Sequence, residues 1–345
     1  MTHTWPDVLS TLTSRRDLEP EAVRWAMGEI LDGQASDPQI AAFAVALRTK
    51  GETRAELQAL ADQMLASAVR LSVSDRVLDI VGTGGDLANT VNISSMSAVV
   101  AAGAGAGVVK HGNRSASSSS GSADVLEALG VRLDVPAERV LDVYERAGIT
   151  FCFARVFHPS FRHVGPARSA IGIPTTFNFL GPLTNPAAPP AIAIGCADAR
   201  MAPLMAGVLA ERGNDGLVFR GDDGLDELTI TTSSRVWVVA DGVVVEETLD
   251  PVDLGLDLAP PQALSGGDVA YNADVFRRVL DGESGAPRDA VLLNAGAGIA
   301  AHAAQPGSLV ERLAAGVEQA RESIDSGRAR EVLARWAAAT EELVD

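Results

Sequence analysis

Residues 77–122 read VLDIVGTGGDLANTVNISSMSAVVAAGAGAGVVKHGNRSASSSSGS, and the rest of the 345-residue chain is organised around them. Two short β-branched runs, residues 77–81 and 108–109, each lead into a loop rich in Gly, Ser, Thr and Asn and then into a helical pattern. In a parallel sheet, successive strand-to-helix loops leave the same edge, so the two loops should converge on one crevice. Backbone N–H groups at Gly-rich turns and helix N-termini favour anions there, before any side chain is counted. The crevice reads as a phosphate site.

Charge statistics sharpen this reading. The chain has 45 acidic residues, and an even spread would put about five in residues 82–122. Residues 82–122 carry one acid, Asp86, against Lys110 and Arg114. Lys50 and Lys110 are the only lysines, so a composition that otherwise uses Arg keeps one lysine in the second loop. An ammonium is a compact point charge suited to a phosphate.

The whole chain sets wider bounds. A chain that is 47% hydrophobic over this length buries a large core and divides into two domains. The net charge of −17 argues against nucleic acid or a membrane surface as partner. An anionic substrate must then be held by local dipoles, a few cations or a metal. The opening MTHTWPDVLS has neither the basic nor the apolar region of a signal peptide, and residues 96–109 are too short for a membrane span. The expected location is cytoplasmic, with Cys152 and Cys196 as buried free thiols.

In chain order, residues 1 to about 70 read as helices. Pro20 marks a first turn, Asp37-Pro38 another, and Thr53-Arg54-Ala55-Glu56 has the form of a capping box. From Arg76 short β-branched runs alternate with helical patterns, at residues 77–81, 108–109, 150–153, 191–196, 217–220 and 290–293. That alternation predicts an α/β domain with a mainly parallel sheet. Residues 198–212 read as a helix, 229–247 as strand-rich with an Asp241-Gly242 hairpin turn, 251–267 as a long surface loop, and 308–343 as two helices.

The first loop is neither a dinucleotide fingerprint, since Leu87 stands where the third Gly belongs, nor a P-loop, since no Gly-Lys-Ser/Thr follows. Asn92 and Ser94 would point the same way in an extended segment, and Ser94 and Ser95 would sit at the N-terminus of a helix beginning near Met96. The second loop concentrates Lys110, His111, Asn113 and Arg114 around Gly112. Asp124 and Glu127 open the helix after it. A third cluster, Gly221-Asp222-Asp223-Gly224-Leu225-Asp226-Glu227, follows an expected strand. By spacing alone it is either a Mg²⁺ site or a solvated acidic turn.

Together these stretches resemble a known family. GTGGD with TVNISS, KHGNRSASS with GSAD and LEALG, HPSFRHVGPARSAIG running into TTFNFLGPLTNPA, and GDDGLDELT are similar to the anthranilate phosphoribosyltransferases, as are ALRTKGET and RDAVLLNAGAG. The resemblance implies an α/β fold: a large domain, residues 73–345, with a mainly parallel central sheet flanked by helices. It also implies a small all-helical domain, residues 1–72, completed by helices from about 160–185, and a homodimer formed through that domain. The reaction implied moves the phosphoribosyl group of 5-phosphoribosyl 1-pyrophosphate onto anthranilate, with Mg²⁺, two ions, on the pyrophosphate.

Carried over by position, Gly82, Gly85, Asp86, Thr90, Asn92, Ser94 and Ser95 resemble the family's first phosphoribosyl-pyrophosphate loop. Lys110, His111, Gly112, Asn113, Arg114, Ser117 and Ser118, with Ser122, resemble the second. Ser94, Asp226 and Glu227 stand as the metal ligands, and Gly82, Asn113 and Arg168 as the anthranilate site. Lys110 is the expected catalytic cation and His111 an auxiliary group, while His158 and His163 read as structural. Arg155 departs from the family, which has Pro after Phe-Ala. The competing readings are a pyrimidine nucleoside phosphorylase-like enzyme, which shares the fold, and a non-catalytic nucleic-acid-binding relative, which −17 disfavours.

Overall fold

The computed structural model describes residues 3–114 and 120–344. Four helices, Trp5–Thr13, Pro20–Leu31, Asp37–Lys50 and Arg54–Ala66, open the chain. The expected capping box is present: Thr53 Oγ1 accepts from the Glu56 amide at 3.2 Å, and Glu56 Oε2 accepts from the Thr53 amide at 2.9 Å. Buried Glu56 also accepts from the Leu18 amide and from Lys50 Nζ, both inside the bundle. Lys50 reaches Asp17 as well, at 2.7 Å.

The strands are β1 (Val77–Gly82), β2 (Gly107–Gly112), β3 (Ile149–Phe153), β4 (Ala191–Gly195), β5 (Asp215–Gly221), β6 (Ser234–Ala240) and β7 (Val243–Leu249). They form one sheet in the order β3-β2-β1-β4-β5-β6-β7. The first five are parallel, and the antiparallel β6 and β7 extend one edge. The chain runs outward from β1 in one direction and returns to β1's other side with β4, so the strand order reverses there. Ligands of open α/β sheets bind outside the carboxyl ends at such a reversal. The hairpin turn between β6 and β7 falls at Asp241 (φ 50°) and Gly242 (φ 74°), as the sequence signal indicated.

Two apolar cores flank the sheet. One joins the N-terminal bundle, Ala167 of the helix Gly165–Ile171 and Phe177 of the turn Thr176–Phe179 to side chains of one sheet face such as Ile192, Ile194 and Val218. The other lies under the helices Ile93–Gly103, Ala286–Ala303, Leu309–Asp325 and Arg328–Leu343. Both cysteines are free and buried. At the junction with the bundle, buried Glu52 accepts from Thr176 Oγ1 at 2.5 Å and pairs with Arg200, and Arg48 pairs with Asp198.

Two expectations need correction. Residues 290–293 are not a strand but the middle of the 18-residue helix Ala286–Ala303, which is buried on every face from Ala290 to Ala301. A short apolar run looks the same in a buried strand and in a buried helix; Pro287 in the first turn was the distinguishing signal. Residues 251–267 are not a free surface loop. They form the 3₁₀ turns Pro251–Leu254 and Pro261–Leu264 and dock on the first loop. The Val91 amide donates to Leu264 O at 3.0 Å, and the Gly266 amide to Asn89 O at 2.8 Å.

The helices Ala286–Ala303 and Leu309–Asp325 cross where two glycines meet. A Cβ on Gly316 would land on the Gly296 carbonyl, and one on Gly296 would meet the Val317 backbone. Neither obstacle can swing aside. Gly316→Val should therefore cost about 2–3 kcal/mol of overpacking. Exposed Ala315→Val should cost under about 1 kcal/mol, with both read by urea unfolding.

Candidate active site

A cavity of about 840 Å³ opens at the carboxyl ends of β1 and β2. From the first loop it takes Gly82, Gly85, Asp86, Thr90, Asn92 and Ser94. From β2 and the loop after it come Lys110, His111, Gly112, Asn113 and Arg114, with Ser122 beyond. Asp226, Glu227 and Arg168 complete the set. Ser117 and Ser118 lie outside the described residues. Ser95 alone among the described candidates does not line the cavity. The helix starts at Ile93, so Ser94 and Ser95 point in different directions, and Ser95 is buried with its hydroxyl unpaired among the described residues.

The same early helix start corrects the reading of Asn92, which is the N-cap residue rather than part of an extended segment. Its side chain ties the two loops together. Nδ2 donates to Ser120 O at 3.2 Å, and Oδ1 accepts from Asn272 Nδ2 at 3.0 Å. Asn272 went unread because a lone Asn in an amphipathic helix carries no distinguishing pattern.

Close backbone approach brings the acidic turn to the first loop. A Cβ on Gly195, at the end of β4, would overlap the Asp226 carbonyl, and one on Gly82 would overlap its carboxylate. The Gly84 amide donates to Asp226 Oδ2 at 2.7 Å. Asp226 and Glu227 are 9% and 8% exposed, which decides against a solvated acidic turn. Burial pushes both carboxyls up, reinforced by Asp86 at Asp226 and by Asp226 at Glu227. The Ser94 backbone amide faces Glu227.

Such a group of desolvated carboxylates fits a hard cation. Among the described residues, no three His, Cys, Asp or Glu are arranged to hold an ion by themselves. The donor set therefore suits an ion that keeps water and takes phosphate oxygens, as Mg²⁺ does.

Lys110 sits in β2 rather than mid-loop and is 2% exposed. Its Nζ donates to Ile80 O at 2.5 Å and to Ser94 Oγ at 3.4 Å. Burial lowers its pKa, and Asp79, Glu227 and Asp226 oppose that. Arg114 is already engaged: it pairs with Asp124 at 2.5 Å and Glu127 at 2.7 Å, so those acids do more than complement a helix dipole.

His111 lies 2.9 Å through Nδ1 from Gly181 O, which assigns the proton to Nδ1 and leaves Nε2 a buried acceptor with no partner among the described residues. Burial pushes its pKa down to about 3, and the His158 ring 5.1 Å away adds to this. His158 lines the cavity too; it is buried, with Nε2 2.8 Å from Thr184 O, and burial takes its pKa down to about 4.

The Arg168 guanidinium stands 5.8 Å from the Phe161 ring, with no carboxylate paired to it among the described residues. Burial lowers its pKa. Arg155 and Arg162 line the same cavity. Asp79 and Asn185 are buried polar residues outside the sequence expectations; the acid inside the apolar run Val77-Leu78-Asp79-Ile80-Val81 is the signal that points to the first.

His158 gives a pH test of this packing. Its folded pKa lies below the ordinary 6.5, so on acidification the unfolded chain takes up the proton first and the native state loses stability. That contribution is intact above about pH 6.5 and drains away towards pH 4. The Tm gap between wild type and His158→Gln should move in favour of the variant over that window. A gap independent of pH would contradict a buried neutral imidazole.

Known proteins resemble this chain over nearly its whole length. Residues 6–68 match the glycosyl transferase family helical bundle domain, and residues 74–330 the glycosyl transferase family a/b domain. An anthranilate phosphoribosyltransferase from Nocardioides sp. is 62% identical over 98% of this chain and 99% of that protein. The crystal structure of the Thermus thermophilus anthranilate phosphoribosyltransferase superposes with a TM-score of 0.90 at 43% identity, covering 97% of this chain and 99% of that one. The Saccharomyces cerevisiae anthranilate phosphoribosyltransferase in complex with PRPP and Mg does so with a TM-score of 0.89 at 26% identity, covering 98% of each. The sequence motifs, the sheet topology and these likenesses agree: the chain belongs to the anthranilate phosphoribosyltransferase family.

Proposed function

We propose that the cavity binds 5-phosphoribosyl 1-pyrophosphate across its two loops and transfers the phosphoribosyl group to the amine of anthranilate. The products are N-(5-phosphoribosyl)anthranilate and pyrophosphate, in the second step of tryptophan biosynthesis from chorismate. The observation that carries this reading is one cavity lined both by the buried pair Asp226–Glu227, with the Gly84 amide on Asp226, and by Arg168, which has no carboxylate partner among the described residues. The carboxylates suit a metal that would accompany a diphosphate, and the guanidinium suits an aromatic carboxylate.

Asp226, Glu227 and the Ser94 hydroxyl would hold Mg²⁺, two ions in this proposal, and the bound metal supplies charge neutralisation for the departing pyrophosphate. Gly82, Gly85, Asp86, Thr90 and Asn92 would shape the diphosphate side, and Gly112 to Ser118 with Ser122 the phosphoribosyl side. Lys110 contributes a fixed positive charge from below. Arg168 would take the anthranilate carboxylate, with Gly82 and Asn113 flanking the ring. An aryl amine is neutral and nucleophilic at pH 7, so no protein base is obligatory. His111, held neutral with Nε2 bare, can accept the amine proton after attack. The division into residues 1–72 with 160–185, and 73–345, would let the helical part close on the sheet. A homodimer through the helical domain and a cytoplasmic location complete the proposal; both rest on the family resemblance. No helix among the described residues is long and apolar enough to cross a membrane.

Leaving-group stabilisation is then the larger contribution. Asp226→Asn should lower kcat by about 10²–10³-fold or more, and His111→Ala by less; the opposite ranking would refute the mechanism. Arg168→Ala should raise KM for anthranilate by about 10–100-fold, the worth of one charged hydrogen bond. A loss confined to phosphoribosyl-pyrophosphate affinity would remove Arg168 from the acceptor site. Anthranilate fluorescence should decay with phosphoribosyl pyrophosphate and Mg²⁺ and persist after chelation. Phosphate-dependent cleavage of a pyrimidine nucleoside would favour the phosphorylase reading instead.

A further inference from the structure

We propose that Asp79 is a positioning residue: together with Asn185 it wedges β1 apart from β2 and so aims Lys110 and His111 at the cavity. The two strands are paired only through Val77↔Gly107 and Leu78↔Val108. Beyond that point β1 stays with β4 as far as Gly82↔Gly195, and β2 stays with β3 as far as Gly112↔Phe153. The sheet therefore splits along one seam, and the cavity opens over the split.

Alternate residues of a strand turn their backbone N–H and C=O to the same neighbour, so Val109 and His111 share a side. Both are met there by side chains instead of by β1. The His111 amide donates to Asp79 Oδ1 at 3.2 Å, and Asn185 Nδ2 donates to Val109 O at 2.7 Å. Asn185 Nδ2 also donates to Asp79 Oδ2 at 2.8 Å, which locks the two wedge residues to each other. On the facing strand, Ile80 O takes the Lys110 ammonium. Three backbone groups that a closed ladder would have satisfied are thus held by Asp79, Asn185 and Lys110.

The wedge residues themselves do not line the cavity, whereas Lys110 and His111 do. Asp79 is fully buried, and Asn185 is 3% exposed. Burial pushes the Asp79 carboxyl up to about 6, while the Lys110 charge and the donors from Asn185 and His111 pull it back. A carboxylate here fixes two consecutive residues of β2, one through its backbone and one through its charge.

The kinetic test rests on the reaction proposed above, and wild-type turnover of anthranilate is its control. In Asp79→Asn an amide nitrogen must face either the His111 amide or the Asn185 amide, so one bond of the wedge breaks. The expected result is a kcat about 10–100-fold lower. KM for anthranilate should stay within about twofold, because Arg168 lies outside the wedge. Unchanged kcat, or a loss that only follows the folded fraction, would overturn the proposal. Should Asp79→Asn fail to fold, Asn185→Ala removes the donor to Asp79 and to Val109 and should give the same split between kcat and KM.

Amide hydrogen exchange in the wild type tests the wedge without any turnover, so failure of the reaction assignment would not decide it. The His111 amide should exchange as slowly as the ladder-bonded amides of β2. Exchange as fast as that of the loop residue Asn113 would show that Asp79 does not hold it.

Discussion

Three buried carboxylates gathered around one buried ammonium set the terms for this molecule. Asp79, Asp226 and Glu227 all act on Lys110, and each of the four is at most 9% exposed. Taking an ion out of water costs several kcal/mol unless partners repay it. One cation cannot repay three anions, and burial accordingly raises all three carboxyls; a divalent ion would offset that cost and favour their ionised forms. A chain with a net charge of −17 can then receive a multiply charged diphosphate without a basic surface.

The sheet makes this arrangement possible through its termini rather than its middle. Gly82 and Gly195 end neighbouring strands, and the missing Cβ atoms are what let the acidic turn lie across them. The first loop is then held at both ends. Its start is tied by the Gly84 amide on Asp226, and its far end by the segment around Leu264. Between these ties Leu87 is 75% exposed at the loop's tip.

Much of this could be read from residue order. Alternating β-branched runs and helical patterns gave the sheet, the Thr53–Glu56 capping box gave a helix start, and Gly-rich loops after strands gave the crevice. What escaped was of two kinds. Residues 290–293 failed because burial on every face erases the periodicity that separates helix from strand. Asn272, Asn185 and the docking of residues 251–267 failed because their roles lie in contacts between segments far apart in the chain. Ser95 shows how fine the limit is: moving the helix start from Met96 to Ile93 turns a neighbouring hydroxyl away from the cavity. The ion pairs of Arg114 with Asp124 and Glu127 likewise depend on contacts that residue order does not show.

Lysine usage has a consequence for the outside of the protein. Both lysine side chains are 2% exposed, Lys50 clasped by Asp17 and Glu56 within the bundle and Lys110 beneath the cavity. The permanently charged side-chain cations left on the exterior are guanidinium groups, which resist acylation at neutral pH. Amine-directed reagents, whether carbamoylating, acetylating or cross-linking, thus meet no side-chain target on the native exterior. An unfolded copy would display two.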